Sequence, residues 1–185
     1  MIVNEKSFTL NDGRTAVVRS PREEDVRGVL DYLYATACET EFVIRYPEEC
    51  GMYTEEGEKR FFERANSADN EAMLVCLVDG IVAATCQVSW SNFIKLRHRA
   101  SVAIAVRREY WGLGMGTRLM RELIDIAERN PNITQIELDY IEGNSRARAL
   151  YEKLGFRIAG VKPDAIRLKD GTLLNEYSMI RSVVR

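Results

Sequence analysis

Apolar residues recur along the chain at two different spacings, which predict strands and helices in a mixed order. Apolar side chains at every second position predict half-buried strands, whereas steps of three and four predict amphipathic helices. The predicted strands are 8–19 as a hairpin, 72–78, 81–90, 102–106, 135–140, 156–168 and 173–181. The predicted helices are 21–37, 54–68, 117–129 and a fourth between 144 and 155, while 38–53 is irregular. This order predicts a mixed αβ sandwich.

Turn and helix-end signals separate these elements. Asp12-Gly13 and Asp79-Gly80 are signals for two-residue hairpin turns, and 169–171 is the turn between the last two strands. Pro21 is placed to open the first helix, and Asn130-Pro131 ends the third.

Residues 106–118, VRREYWGLGMGTR, place three glycines at alternate positions between a strand and an amphipathic helix. Gly112, Gly114 and Gly116 have no Cβ, so the backbone can approach a ligand closely and adopt positive φ. The unpaired N–H groups of the following helix's first turn favour an anion. The segment therefore predicts a site for a phosphate or pyrophosphate.

Two common glycine-rich phosphate loops do not fit this segment. A Walker A loop needs Lys and then Ser or Thr after its last glycine, but Thr117 and Arg118 follow Gly116. A dinucleotide fingerprint needs GxGxxG, and the third glycine is absent whether the motif is started at Gly112 or at Gly114.

A second motif, NSRARALYEKLGF, covers residues 144–156. Asn144 or Ser145 caps its helix, and Gly155 ends it. The apolar residues of this helix, Ala147, Leu150, Tyr151 and Leu154, share one face, so the helix packs on a sheet.

Together the strand, GxGxG and helix, followed by NxxAxxxYxxxGF, resemble the GNAT superfamily of acyl-CoA-dependent N-acetyltransferases. The resemblance covers most of residues 14–181 and is sharpest over 101–156. It implies an α/β (α+β) fold with a mixed, mainly antiparallel twisted sheet flanked by helices, and a strand–GxGxG–helix CoA site. The resemblance also implies that acetyl-CoA is the donor and an amine the acceptor, and it is compatible with a homodimer.

The resemblance also implies roles for individual residues. Asn144 would hold the pantetheine arm or order its helix, and the Tyr151 hydroxyl would lie near the CoA sulfur. The expected donor-site residues are Ile104, Ala105, Val106, Trp111, Gly112, Leu113, Gly114, Met115, Gly116, Thr117, Asn144 and Tyr151. Trp111 stands where the superfamily usually has Arg or Gln, a departure that leaves the backbone cradle intact.

The general base is not fixed by these motifs. Many superfamily members carry Glu on the strand before the glycine loop, but here small residues, Ser101, Ala103 and Ala105, hold the alternate positions. The candidates are Glu137 on the next strand, His98 before the loop strand, or a chain of water molecules. An unperturbed histidine side chain titrates near neutral pH, which suits proton transfer, and the arginines that flank His98 also suit a solvated position.

Length, composition and charge fit one domain over residues 1–185 and narrow the possible partners. The chain has 185 residues, 46% of them hydrophobic and 29% charged, which is ordinary for a globular domain. A net charge of −2 predicts no nucleic-acid partner. Short apolar runs predict no membrane span, and the first residues lack a signal-peptide pattern, so we expect a cytoplasmic protein. One histidine and four cysteines without CxxC spacing predict no metal site and no disulfide.

Two charged clusters leave alternatives open. Arg107, Arg108, Arg118 and Arg121 either pair with CoA phosphates or are ordinary surface charges. The acidic residues Glu39, Glu41, Glu48, Glu49, Glu55 and Glu56 either favour a cationic acceptor or form a solvated face. The predicted function is acetyl transfer from acetyl-CoA to a primary amine, on a small metabolite, an amino acid or a protein N-terminus, directly in a ternary complex. The alternative is a non-catalytic acyl-CoA-binding or sensing module.

Overall fold

One eight-stranded sheet organises the protein, whose computed structural model describes residues 1–183. The strands are β1 Lys6–Thr9, β2 Thr15–Arg19, β3 Glu71–Val78, β4 Ile81–Trp90, β5 Arg99–Val106, β6 Gln135–Ile141, β7 Arg157–Arg167 and β8 Leu173–Ser182. Their order in the sheet is β1-β2-β3-β4-β5-β6-β8-β7. Every neighbouring pair is antiparallel except β5 and β6, which are parallel. The predicted mixed, mainly antiparallel sheet is confirmed.

Over residues 1–183, four α-helices cover the two faces of this sheet. They are α1 Val26–Glu39, α2 Glu55–Ser67, α3 Met115–Arg129 and α4 Ser145–Lys153. Because side chains alternate between faces along a strand, β3 contributes to two cores. Met73 and Val75 pack with α1 and α2 in one core, and Leu74 packs with α3 and α4 in the other.

The parallel pair β5 and β6 is joined through α3, and its pairing is short. Arg99–Ser101 pair with Gln135–Glu137, after which the two strands separate. Each stays paired with its other neighbour, β5 with β4 up to Val106 and β6 with β8 up to Ile141. A gap therefore opens at the carboxyl ends of β5 and β6, where α3 and α4 begin.

Several element boundaries differ from the prediction. Pro21 does not open the first helix, because a 3₁₀ turn at Glu23–Asp25 precedes α1. The first hairpin has a three-residue turn, closed by Leu10 N donating to Arg14 O, in which Gly13 has φ +91°.

The third helix and the irregular segment also differ from the prediction. Helix α3 begins at Met115, two residues before the predicted start, because left-handed Gly114 serves as its N-cap. The predicted irregular stretch contains a 3₁₀ helix, Pro47–Met52. Among residues 1–183, none of the helices combines the length and the apolar character that crossing a membrane requires.

A buried ion pair fixes the start of α1. The guanidinium of Arg19 donates to both carboxylate oxygens of Asp25 at 2.6 and 2.9 Å, and both side chains are almost inaccessible to solvent. Asp25 also accepts from the backbone N–H of Arg22 at 2.7 Å. This pairing raises the pKa of Arg19. It also explains why the helix starts after Asp25 and not at Pro21.

Replacing Asp25 by Ala leaves the Arg19 charge buried without its carboxylate. Removing one partner of a buried pair costs about 3–5 kcal/mol, so we expect the D25A variant to lose that much free energy of unfolding in urea denaturation. The matched control is Glu24→Ala, whose exposed carboxylate lies 3.8 Å from Arg19 and should change stability by less than about 1 kcal/mol. Equal losses in the two variants would contradict this account.

Candidate active site

A cleft of about 550 Å³ occupies the gap between the parted strands. Its walls come from the end of β5, the loop before α3, the start of α3, and the turn and first residues of α4. Of the twelve donor-site residues expected from the sequence, all but Leu113 line it. Leu113 instead packs against the core, and its carbonyl accepts from Asn11 N at 3.1 Å.

The backbone of β5 presents hydrogen-bonding groups to this cleft. Arg107 N donates to Ala83 O on the β4 side, at 2.9 Å. Because N–H and C=O groups alternate between the two edges of a strand, those of Ile104 and Val106 face the β6 side. Pairing with β6 has already ended at Ser101, so the groups of Ile104 face the cleft.

The glycine loop adopts the conformation that its residue types allow. Gly112 and Gly114 have φ of +77° and +86°, values that side-chain-bearing residues rarely adopt. Gly116 is helical, and a Cβ there would lie 3.1 Å from Leu150 Cδ2, so its lack of a side chain lets α4 pack against α3.

The first turn of α3 supplies free donors to the cleft. Arg118 N donates to Gly114 O, the first hydrogen bond of the helix, so the N–H groups of Met115, Gly116 and Thr117 have no partner within it. All three residues line the cleft. With the positive end of the helix dipole behind them, these donors suit a phosphate.

Asn11, from the β1–β2 turn, supports this loop from outside the motif. Its Nδ2 donates to Gly112 O at 3.3 Å, and a Cβ on Gly114 would lie 3.2 Å from its Oδ1. The sequence motifs gave no signal for this residue, because about a hundred positions separate it from the loop.

Trp111 is part of the cleft wall, in place of the usual Arg or Gln. Its indole Nε1 donates to Val106 O at 2.7 Å, which closes the turn after β5. The guanidinium carbons of Arg108 and Arg146 lie 5.5 and 4.9 Å from its ring centre, within cation–π range. Arg146 also lines the cleft, so the site keeps an arginine, supplied by α4. The sequence signal that could have identified Arg146 was a basic residue in the first turn of a helix that faces a phosphate site.

Tyr151 reaches the cleft from a packed position. Its ring contacts those of Tyr140 and Phe156, at centre distances of 6.3 and 6.1 Å. Burial raises its pKa to about 12, so the hydroxyl stays protonated at neutral pH. Among residues 1–183 the hydroxyl has no hydrogen-bond partner, which leaves it free to donate to a ligand.

Asn144 caps α4, as the sequence predicts. Its Oδ1 accepts from Ala147 N at 3.1 Å, and Gly155 ends the helix with φ +84°. While Oδ1 accepts this cap bond, the amide N–H₂ of Asn144 is available to donate to a ligand in the cleft.

The two proposed bases lie away from the cleft. His98 precedes β5, and Glu137 pairs in register with Ser101, about 10 Å along the strand from Ile104. Glu137 forms an ion pair with Arg99 at 2.6 Å. Neither His98 nor Glu137 is among the described residues that line the cleft, because both sit where β5 and β6 are still paired.

The two charged clusters meet at Glu39, while other acidic residues contact groups outside the arginine cluster. Arg108 N donates to Glu39 Oε2 at 2.7 Å, and Arg107 Nε lies 3.7 Å from the same carboxylate. The acidic residues Glu48, Glu49, Glu55 and Glu56 bind Lys169, the Tyr46 N–H, Arg27 and Arg60 respectively. None of the six acidic residues lines the cleft in the described part of the chain.

A second cavity, of about 670 Å³, lies on the other side of β5. Ile104 and Ala105 line both cavities, so the two spaces meet at the end of this strand. Tyr32 stiffens that wall, since its hydroxyl donates to Ala105 O at 2.8 Å. Two charged residues of the second cavity, Arg45 and Glu58, were not singled out by the sequence.

Neither of the two buried cysteines is placed as a nucleophile. Cys76 and Cys86 are buried, and burial raises the pKa of Cys76 to about 12 and that of Cys86 further. Over residues 1–183, no group of three or more His, Cys, Asp or Glu side chains is arranged to hold a metal ion.

Comparisons with known proteins give the family and the fold. The model of the "Acetyltransferase (GNAT) family" matches residues 34–156. An L-amino acid N-acetyltransferase, AaaT of Escherichia coli, is 28% identical over 119 residues, which span 64% of this chain and 73% of that protein.

Solved structures share this fold. A GNAT-family acetyltransferase from Streptococcus pneumoniae superposes with a TM-score of 0.84 at 23% identity, covering 91% of this chain and 99% of that one. A phosphinothricin acetyltransferase from Sinorhizobium meliloti, solved with AcCoA, gives 0.77 at 19% identity, covering 91% and 88%. The matched family model spans both the glycine loop and the α4 motif, and the chain therefore belongs to the GNAT family of acetyltransferases.

Proposed function

We propose that the chain moves an acetyl group from acetyl-CoA, held in the cleft, directly to a primary amine that enters from the second cavity. The observation that carries this proposal is the shared wall: Ile104 and Ala105 border both spaces. A thioester placed along β5 is thereby accessible to an amine from the opposite side, as transfer in a ternary complex requires.

The donor site is assigned from its chemistry. The free N–H groups at the start of α3 receive the pyrophosphate, and the backbone groups of Ile104 receive the pantetheine amides. Arg146, held against Trp111, adds a cation beside the phosphates.

The burial of Cys86 favours direct transfer over a mechanism that forms an acyl-enzyme intermediate. Cys86 lines the second cavity, but burial holds its pKa far above neutrality, so the nucleophilic thiolate is not available. The amine nitrogen is then the group that attacks the thioester carbon.

Tyr151 serves the departing sulfur as a hydrogen-bond donor. A thiol has an ordinary pKa near 8.5, well below the pKa of about 12 for Tyr151, so the proton stays on the tyrosine. Its hydroxyl stabilises the thiolate as the C–S bond breaks. The proton that the amine nitrogen loses as the amide forms ends on the sulfur, which leaves both products neutral at the reacting atoms.

Acceptor-dependent release of CoA tests the function itself. Mixing the protein with acetyl-CoA and a panel of primary amines should release free thiol and form amide in equal amounts, with thiol detected by a chromogenic disulfide and amide by mass spectrometry. Tight CoA binding without release for any amine would overturn the proposal.

Tyr151→Phe removes the hydrogen bond to sulfur and keeps the packed ring. A hydrogen bond to a charged group contributes about 1.5–3 kcal/mol, so kcat should fall roughly 10- to 100-fold. The dissociation constant of acetyl-CoA should stay within about twofold in calorimetry. Tyr177→Phe is the matched control, since this ring stacks on Tyr140 outside the cleft and loss of its hydroxyl should leave kcat unchanged. An unchanged kcat in Y151F would remove Tyr151 from the mechanism.

Gly114→Ala tests the phosphate-binding loop. Left-handed backbone costs a side-chain-bearing residue about 1–2 kcal/mol, and relief of that strain turns the first N–H groups of α3 away from the phosphates. The dissociation constant of CoA should rise roughly tenfold. Gly171→Ala carries a similar strain at φ +90° in the β7–β8 turn, with open space around it. We expect that control to bind CoA normally, and equal weakening in both variants would refute the loop assignment.

A further inference from the structure

The second cavity carries a pair of opposite charges in a mostly apolar setting. Its apolar lining includes Val29, Leu33, Met52, Phe61, Met73 and Ala103. Arg45 and Glu58 are the only charged residues among the described ones that line it. An apolar pocket with few polar groups is the usual form of a small-molecule site, and the polar groups fix the orientation of the ligand.

Glu58 differs from the other acidic residues of α2. Glu55 and Glu56 are exposed and lie within ion-pair distance of Arg27 and Arg60. Glu58 is half-buried, and among residues 1–183 no cationic group lies within 4 Å of its carboxylate. Burial raises its pKa, and the more distant positive charge of Arg45 acts in the opposite direction. A desolvated carboxylate of this kind accepts a proton more readily than an exposed one.

Arg45 is held in place by uncharged groups. Its Nε donates to Leu33 O at 3.0 Å, and its Nη2 donates to the Thr36 hydroxyl. In the described part of the chain no carboxylate comes within 4 Å of this guanidinium, although it is half-buried. Thr36 lines the donor cleft, so Arg45 stands close to the junction of the two cavities.

We propose that the second cavity binds an amino acid with an apolar side chain as acceptor, its carboxylate on Arg45 and its amine on Glu58, which takes the proton. This inference rests on the proposed function. One small zwitterion satisfies both charges, and its side chain occupies the apolar wall. A polyamine does not fit, because Arg45 repels additional positive charge and Glu58 offers a single carboxylate.

The proton and bond changes balance with these two residues. The ammonium nitrogen gives one proton to Glu58, and its lone pair forms the C–N bond at the thioester carbonyl. The C–S bond then breaks, and the second proton from nitrogen ends on sulfur. The products are the N-acetyl amino acid, the CoA thiol and protonated Glu58, which returns its proton to solvent.

Matched acceptors test the role of Arg45 in the protein. L-leucine and 3-methylbutylamine differ only in the carboxylate, and spermidine represents a polycation. With saturating acetyl-CoA we expect kcat/KM for leucine to exceed that for either amine by about 100-fold. Arg45→Met should erase the preference by raising the KM for leucine. The exposed Arg60→Met should preserve it.

Glu58→Gln tests proton removal separately. The kcat of this variant should fall by about 100-fold for leucine and for 3-methylbutylamine alike. An unchanged KM for acetyl-CoA would show that the variant is folded. Glu55→Gln, one helical turn earlier and exposed, is the control that should keep the original kcat.

The outcomes separate this inference from the function on which it rests. Efficient turnover of 3-methylbutylamine or spermidine, or an unchanged preference in R45M, overturns the assigned acceptor class and leaves acetyl transfer standing. A normal kcat in E58Q removes Glu58 as the proton acceptor. Absence of thiol release with every amine overturns the proposed function and this inference together.

Discussion

The early end of pairing between β5 and β6 is the constraint on which the rest of the site depends. Each strand remains hydrogen-bonded to its outer neighbour, so the sheet stays continuous while a gap opens between the two. In a fully paired sheet the backbone N–H and C=O of Ile104 would bond to the neighbouring strand. Here they are available to a ligand. The helices that follow both strands begin at the same edge, and so their first turns meet across the gap.

The two cavities along β5 are lined by different kinds of chemical group. The donor cleft uses backbone N–H groups and a helix end, which hold a phosphate with little dependence on the nearby side chains. The second cavity uses side chains, an apolar lining with Arg45 and Glu58. Ala103 and Ala105 are small, and their size leaves room for this second space at the position where a larger strand residue would fill it.

The segment between α1 and α2 connects the two spaces. Thr40 and Phe42 line the donor cleft, whereas Arg45 and Tyr53 line the second cavity. The segment is held by the β7–β8 turn, where Lys169 N donates to the Tyr46 hydroxyl at 3.1 Å. Glu48 adds an ion pair with Lys169 at the same place, so distant parts of the chain fix the shape of both sites.

The sequence by itself determined the sheet and helix order, the anion-binding loop and the capped α4 helix. These features depend on local chemistry, such as the missing Cβ of Gly114 and the cap formed by Asn144, which neighbouring residues reveal. The start of α1 was misplaced at Pro21, because the Arg19–Asp25 ion pair that sets it is a tertiary contact. Only the tertiary structure decided that His98 and Glu137 lie at the paired end of β5 and β6, and that Arg45 and Glu58 share a cavity. Positions and burial of charged side chains follow from strand register and helix packing, which residue spacing along the chain does not encode.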